Sequence, residues 1–412
     1  MHFGEFGNKL QGQTLEKWNT EEDNHMRLPR FFKNNPKLEA WETRAVIALA
    51  RRMKGINPNK VVFICFKGRG YGDNPRCISE RLHARYPEAE IVWLFKGSVI
   101  GEMRKTVPSY VRCVTNPSRH AYVELATARV WVDNFTKDTA LKGFPKGRQF
   151  YIQTWHGDRA IKKICYDMWP EGWRLEEDCD LVLTGSEFGQ KMYRTAFRYK
   201  GPYLNMGAPR NDILVRNDPA DVARVRAKLG VPDGVKLLLY APTYREDSQR
   251  VPKHAQMDLR RTLDVLERNG EKWLCLYRAH YKSEGIELEA EQDRLVDMSR
   301  YDDMSELLLV SDMLLTDYSS CAMDFCLLDR PVFMYMADYA EYLSTRDVYY
   351  DPHDTPLRIA HSQAELESLI LSTDAQEARR NCEEIRAWYG MHETGRATDA
   401  VCDYIIERLG RR

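Results

Sequence analysis

From residue 60 onward, short apolar runs alternate with amphipathic stretches. KVVFICF (60–66), EIVWLF (90–95), RVWVDN (129–134), FYIQT (150–154) and LVLTG (181–185) are too short for helices and rich in β-branched and aromatic residues. Such runs predict strands buried on both faces of a parallel sheet. Residues 118–128 and 186–198 have helical spacing between them. In the loop KGRGYGDNP after the first run, Asp73 or Asn74 can cap a helix with Pro75 in its first turn. A second block opens near residue 217, where NDPADVARVRAKLG predicts a helix stopped by Gly230. Strand-like runs follow at 236–241, 272–277, 294–298, 312–317 and 331–336. Helices are expected at 257–269, around Ser305–Leu309 behind an Asp302–Asp303 cap, from Ser319, and twice within 373–410. Strand and helix alternating in two blocks is the pattern of two α/β domains with parallel sheets. The boundaries this implies are a polar tail (1–37), a first domain (38–212), a second domain (213–390) and a C-terminal helix (391–412).

Residues 38–54 (LEAWETRAVIALARRMK) form a cationic amphipathic helix, read as packed on the first domain or, alternatively, as lying on a membrane surface. Composition narrows the field. The 61 basic and 61 acidic residues cancel, so a nucleic acid is not expected as partner. No apolar run of 18 residues exists to span a bilayer, and MHFGEFGNKLQGQ lacks the pattern of a secretory leader. The ten cysteines form no CxxC pair, which leads us to expect reduced, mostly buried thiols in cytosol.

Polar clusters follow the strands. At 313–328, MLLTDYSSCAMDFCLL, a strand delivers Asp317 to its carboxyl end. Ser319 and Ser320 then open a helix whose free N–H groups can hold a phosphate. Asp324, one turn in, either accepts from ribose hydroxyls or favours the helix dipole. YRAHY (277–281) puts Arg278 and His280 at a strand end, a pairing suited to a diphosphate. In QTWHGDRAIKK (153–163), His156 can take a proton from a hydroxyl, while Arg159, Lys162 and Lys163 can hold an acceptor phosphate or anionic headgroups. In GAPRND (207–212), Arg210 fixes an interdomain turn or reaches a ligand. The loop KGRGYGDNP fits neither a Walker A nor a full GxGxxG motif. HExxH, a convincing DxD, GxSxG and the kinase motifs are missing, so no obligatory metal is expected.

In order, GYGDNPRCISERL, LATARVWVDN, QTWHGDRAIKKI, GSEFGQKMYRTAF, GAPRND, LLYAPTYRED, LYRAHY and SELLLVSDMLLTDYSSCAMDFCLLDRPVFMY resemble the CDP-glycerol glycerophosphotransferases of teichoic acid and capsule synthesis. The resemblance implies a GT-B-type fold of two Rossmann-like domains facing a central cleft, with the acceptor on the first and the CDP-polyol on the second. It implies transfer of a polyol phosphate, glycerol phosphate foremost, to a lipid-linked or polymeric glycan hydroxyl, with release of CMP. His156 then matches the general base, and His280 with Arg278 the diphosphate motif. Ser319, Ser320 and Asp324 match the phosphate and ribose motif, beside Asp317. Tyr240, Thr243 and Arg245 line the same side. The resemblance also implies a peripheral place on the inner face of the bacterial membrane. Ribitol donors, a sugar-nucleotide glycosyltransferase and a non-catalytic scaffold are the competing readings. The sequence departs from the family at Asp158–Arg159 and after Tyr350 (DPHDTPLRIA), both on the acceptor question. Priming, polymerisation and oligomeric state stay open.

Overall fold

The computed structural model describes residues 36–135, 149–168, 179–243, 257–279 and 294–410; Arg245, His280 and nearly all of the expected polar tail fall outside them. Two parallel sheets organise the chain. The first is built from β1 (Lys60–Ile64), β2 (Glu90–Phe95), β3 (Arg112–Thr115), β4 (Val130–Asp133), β5 (Phe150–Gln153), β6 (Leu181–Thr184) and β7 (Tyr203–Asn205), in the order β3-β2-β1-β4-β5-β6-β7. The second uses β8 (Val235–Ala241), β9 (Lys272–Tyr277), β10 (Leu295–Asp297), β11 (Met313–Thr316), β12 (Val332–Tyr335) and β13 (Ile359–Ala360), in the order β10-β9-β8-β11-β12-β13. Val61 pairs with Ile91 on one side and Val130 on the other; Leu314 pairs with Leu239 and Val332. In each sheet the chain starts centrally, runs to one edge, then returns to fill the other half. Strand order therefore reverses beside β1 and beside β8, where doubly wound sheets collect ligands at their carboxyl ends. These are the two Rossmann-like domains of a GT-B-type fold.

The central strands are apolar on both faces because helices cover both. In the first sheet, Val61 and Phe63 pack with Ile78 and Leu82 of helix Asp73–Arg85. Val62 and Ile64 pack on the other face with Ala121 and Leu125 of helix Arg119–Thr127. Several helix ends follow their sequence signals, but helix Asp73–Arg85 starts behind Gly72 without a side-chain cap, so neither Asp73 nor Asn74 caps it as expected. Ser118 accepts from the Ala121 N–H, Ser186 from Gly189, and Asp218 caps a helix with Pro219 in its first turn that ends on left-handed Gly230. Asp303 accepts from the Ser305 and Glu306 N–H groups, as expected of the acidic pair.

Several elements went unread, among them helices Tyr339–Thr345 and Gln363–Ser372 and the two-residue β13. Helix Ile100–Thr106 has seven residues, and β3 is a four-residue edge strand with exposed Arg112; neither is long or apolar enough to leave a pattern. Helix Pro36–Lys54 packs against helix Arg119–Thr127 by burying Ile47 and Ala50, while Leu49 and Met53 remain exposed. The two closing helices form at Ala375–Tyr389 and Ala397–Ile406. The second of them returns to the first domain. Its Val401, Cys402 and Ile405 join the cluster of Val61, Phe63 and Ile78, and Asp399 pairs with Arg81 and Arg85. All ten cysteines are free thiols. No described helix is long and apolar enough to cross a membrane.

Candidate active site

The first-sheet side of the site is the segment that leaves β5. Trp155 takes a left-handed φ of 48° and Gly157 a φ of 153°, which together turn the chain sharply around His156. The imidazole is half-buried. It stacks on Trp155 at 4.5 Å and on Phe135 at 5.1 Å, with Phe66 tilted at 5.3 Å. Its Nδ1 lies 2.7 Å from the Asn134 carbonyl oxygen. A carbonyl only accepts, so Nδ1 carries the proton and Nε2 keeps its lone pair. Burial pushes the imidazole pKa down to about 4; the Asn134 hydrogen bond and Asp73 oppose that, and the charges of Arg210 and Lys162 add to it. The ring is a neutral proton acceptor at physiological pH. Asn74 braces the segment by donating to the Trp155 carbonyl at 3.0 Å while accepting from the Arg210 N–H at 3.0 Å.

On the second sheet, Asp317 leaves β11 and accepts from the Thr243 N–H at 2.9 Å and the Tyr318 N–H at 2.6 Å. The carboxylate thus ties the loops after β8 and β11 together where the strand order reverses. Arg278, just past β9, is half-buried and donates to the Tyr301 carbonyl at 3.1 Å. Burial lowers its pKa, against the pull of Cys321, Asp303, Asp302 and Asp73. Ser319 Oγ accepts from the Cys321 N–H at 3.3 Å. The helix expected from Ser319 begins at Cys321 and lasts five residues. So short a helix carries little dipole, which leaves the hydroxyls of Ser319 and Ser320 as the donors at this edge. Tyr240 differs from expectation: only 3% exposed, its ring packs in the core 5.8 Å from Tyr277 and does not line the loop side.

The two sides touch. A Cβ added to Gly157 would lie 3.0 Å from Ser320 Oγ, so the histidine turn abuts the serine loop of the other domain. A side chain there would meet that hydroxyl from a strained backbone position.

The largest correction concerns Arg159, Arg210 and Asp324. Arg159 is 1% exposed and is neither a surface cation nor an acceptor contact. Its Nη2 donates to Asp324 Oδ1 and to Glu393 Oε1, both at 2.8 Å, and its Nε lies 3.2 Å from Asp158. Arg210 Nη2 donates to Asp324 Oδ2 at 2.9 Å, and Nη1 reaches Asp73 at 3.5 Å. Asn211 bridges Asp324 and Glu393 at 2.8 and 3.0 Å. Asp324 is therefore buried, with both of its oxygens held by guanidinium and amide groups. Burial raises its pKa, but Arg210 and Arg159 outweigh burial and hold it below the usual carboxylate range. Burial leaves Glu393 above that range despite Arg159. Lys162 is exposed, and Lys163 is partly exposed 3.8 Å from Asp347; these two keep the surface character expected of them. Sequence reasoning missed Glu393. Its only trace is a pair of glycines: a Cβ on Gly207 would come within 2.3 Å of its carboxylate, and one on Gly185 within 2.7 Å.

The profile of the CDP-glycerol:poly(glycerophosphate) glycerophosphotransferases matches residues 45–407. The chain belongs to that family. It is 30% identical over 359 residues to the teichoic acid poly(glycerol phosphate) polymerase of Staphylococcus epidermidis, covering 81% of this chain and 48% of that protein. The chain thus spans about half the length of that polymerase. It is 28% identical over 374 residues to the teichoic acid glycerol-phosphate transferase of Staphylococcus aureus, covering 85% and 94%. The solved structure of the wall teichoic acid polymerase TagF superposes with a TM-score of 0.77 at 28% identity, covering 90% and 95%.

Proposed function

We propose that the chain transfers glycerol phosphate from CDP-glycerol to a hydroxyl of a polymeric or lipid-linked cell-envelope acceptor, releasing CMP. The observation that carries this reading is His156. Its Nδ1–H is fixed on Asn134, its Nε2 is unprotonated, and its turn presses on Ser320. The acceptor oxygen attacks the phosphorus that bears the glycerol and forms the new P–O bond, while its proton passes to Nε2. The P–O bond to the cytidylyl phosphate breaks, and the electron pair leaves with CMP. Arg278, His280 and the hydroxyls of Ser319 and Ser320 meet the growing negative charge. Asp317 and Thr243 position the loops, and Lys162 and Lys163 serve the anionic acceptor. No obligatory metal enters this scheme. The test is a panel of CDP-glycerol, CDP-ribitol and a sugar nucleotide, each with acceptor and EDTA. CMP release from CDP-glycerol undiminished by the chelator is the expected result. UDP or GDP release from a sugar donor, or no turnover with any donor, overturns the reading.

The reading includes peripheral attachment to the inner membrane face. Leu49 and Met53, exposed on helix Pro36–Lys54 beside exposed Arg52 and Lys54, form an apolar and cationic edge. Co-sedimentation with anionic vesicles at low salt is expected, with loss on Leu49→Glu plus Met53→Glu. A wild-type chain that stays in the supernatant refutes attachment.

A further inference from the structure

The loop between β1 and helix Asp73–Arg85 has no role in the scheme above, yet it is the most contorted segment near His156. Phe66, Lys67 and Gly68 are left-handed in succession, at φ 44°, 60° and 79°. Two of the three carry side chains, for which this conformation is unfavourable. Asp73 (φ 55°) and Trp155 (φ 48°) add two more such residues around the same imidazole. Strain of this kind persists only where surrounding structure enforces it, and it gathers at binding and catalytic sites.

The enforcement is visible. The Phe66 N–H donates to Asn134 Oδ1 at 2.8 Å, and the Lys96 N–H donates to the Gly68 carbonyl at 2.7 Å. Gly68 lies so close to the end of β2 that a Cβ would come within 2.9 Å of the Leu94 carbonyl oxygen. Lys67 is therefore placed by its backbone. Its Nζ sits 5.1 Å from the centroid of the Phe135 ring, and that ring stacks on His156. The side chain is half-buried, and among the described residues its ammonium has no carboxylate partner. A partly buried cation held over a ring that stacks on the base, with no carboxylate beside it among the described residues, is a ready anion site.

The geometry points to Lys67 as a further acceptor-side anion ligand beside Lys162 and Lys163, binding the phosphodiester one unit back from the attacking hydroxyl. This rests on the transfer reading above and specifies its acceptor. Each transfer leaves a terminal glycerol whose far end is esterified to phosphate, so a growing chain carries that anion a few bonds from the next nucleophile. Arg159 and Arg210, expected from sequence to meet it, are locked in the buried network. Lys67 is a cation set on the ring that stacks on the imidazole, and it is not so locked. The ion pair exists equally before and during phosphoryl transfer, so it sets acceptor KM and not kcat.

The test uses the full chain, a soluble glycerol-phosphate oligomer, and a polyol acceptor of similar length without phosphate. Lys67→Asn removes the charge and keeps a residue that tolerates the left-handed region. It is expected to raise KM for the oligomer about tenfold or more, with kcat within about twofold and KM for the uncharged acceptor unmoved. Lys67→Arg is expected to restore most of the affinity. Equal KM changes for both acceptors, or none for either, overturn the assignment. So does loss of binding to anionic vesicles with the oligomer KM unchanged, which would make the anion a lipid headgroup. Should the wild type release no CMP with any donor, the transfer reading itself fails. Calorimetric binding of the oligomer to the wild type and to Lys67→Asn still decides the role of Lys67 in that case.

Discussion

His156→Ala is expected to cut the rate of CMP release by about 10²–10⁴-fold while the far-ultraviolet circular dichroism stays that of the wild type. The ring contributes stacking contacts and one hydrogen bond, but no buried charge that its loss would leave uncompensated. What disappears is the acceptor for the hydroxyl proton at the moment oxygen attacks phosphorus. The pH profile gives an independent check. Only the neutral ring accepts a proton, so activity falls as pH drops through its pKa. Burial has moved that pKa from 6.5 to about 4, so the acid limb of kcat/KM should lie well below that of an ordinary histidine. A variant with near-normal turnover, or an acid limb at or above the ordinary value, would show that the imidazole is not the base.

The second large effect is on stability. Asp324→Ala is expected to cost about 3–5 kcal/mol, read as a lower midpoint in urea denaturation, because it strands the buried guanidinium groups of Arg159 and Arg210. Asp324→Asn keeps the shape but cannot neutralise two cations, so it should recover only part of the loss. The sign with pH follows from the depressed carboxyl. Its stabilisation is present above the ordinary carboxylate range and is lost as pH falls through the lowered value. A loss under about 1 kcal/mol would remove the case for a structural network and return Asp324 to the candidates for ribose contact.

Much of this architecture can be read from the chain because a parallel strand buried on both faces must be apolar throughout. KVVFI, EIVWLF and KLLLYA leave that signature with little competition. Capping residues announced several helix starts for an equally local reason. Of the candidate site, what was legible was backbone position: His156, Arg278 and the two serines follow the ends of β5, β9 and β11, where the apolar runs stop. Arg159 was read as a surface cation because its partners lie far away in sequence, whereas Arg210 takes the first of its two readings, bracing the turn. A basic cluster on paper cannot reveal that Asp324, 165 residues on from Arg159, and Glu393, 234 residues on, will absorb its charge. Tyr240, expected to line the loop side, is buried with its ring in the cluster of Tyr277 and Phe333, a placement that a strand-end position alone does not reveal.

The return of helix Ala397–Ile406 to the first domain has a consequence for how the protein is made. Val61, Phe63 and Ile78 emerge from the ribosome more than 300 residues ahead of Val401, Cys402 and Ile405, which seal them. At roughly 5–20 residues per second, that greasy seam stays wet for on the order of 15–60 seconds in every round of translation. A stop codon ahead of Ala397 would therefore bare the core of the first domain, not that of the second, and leave the first prone to clump.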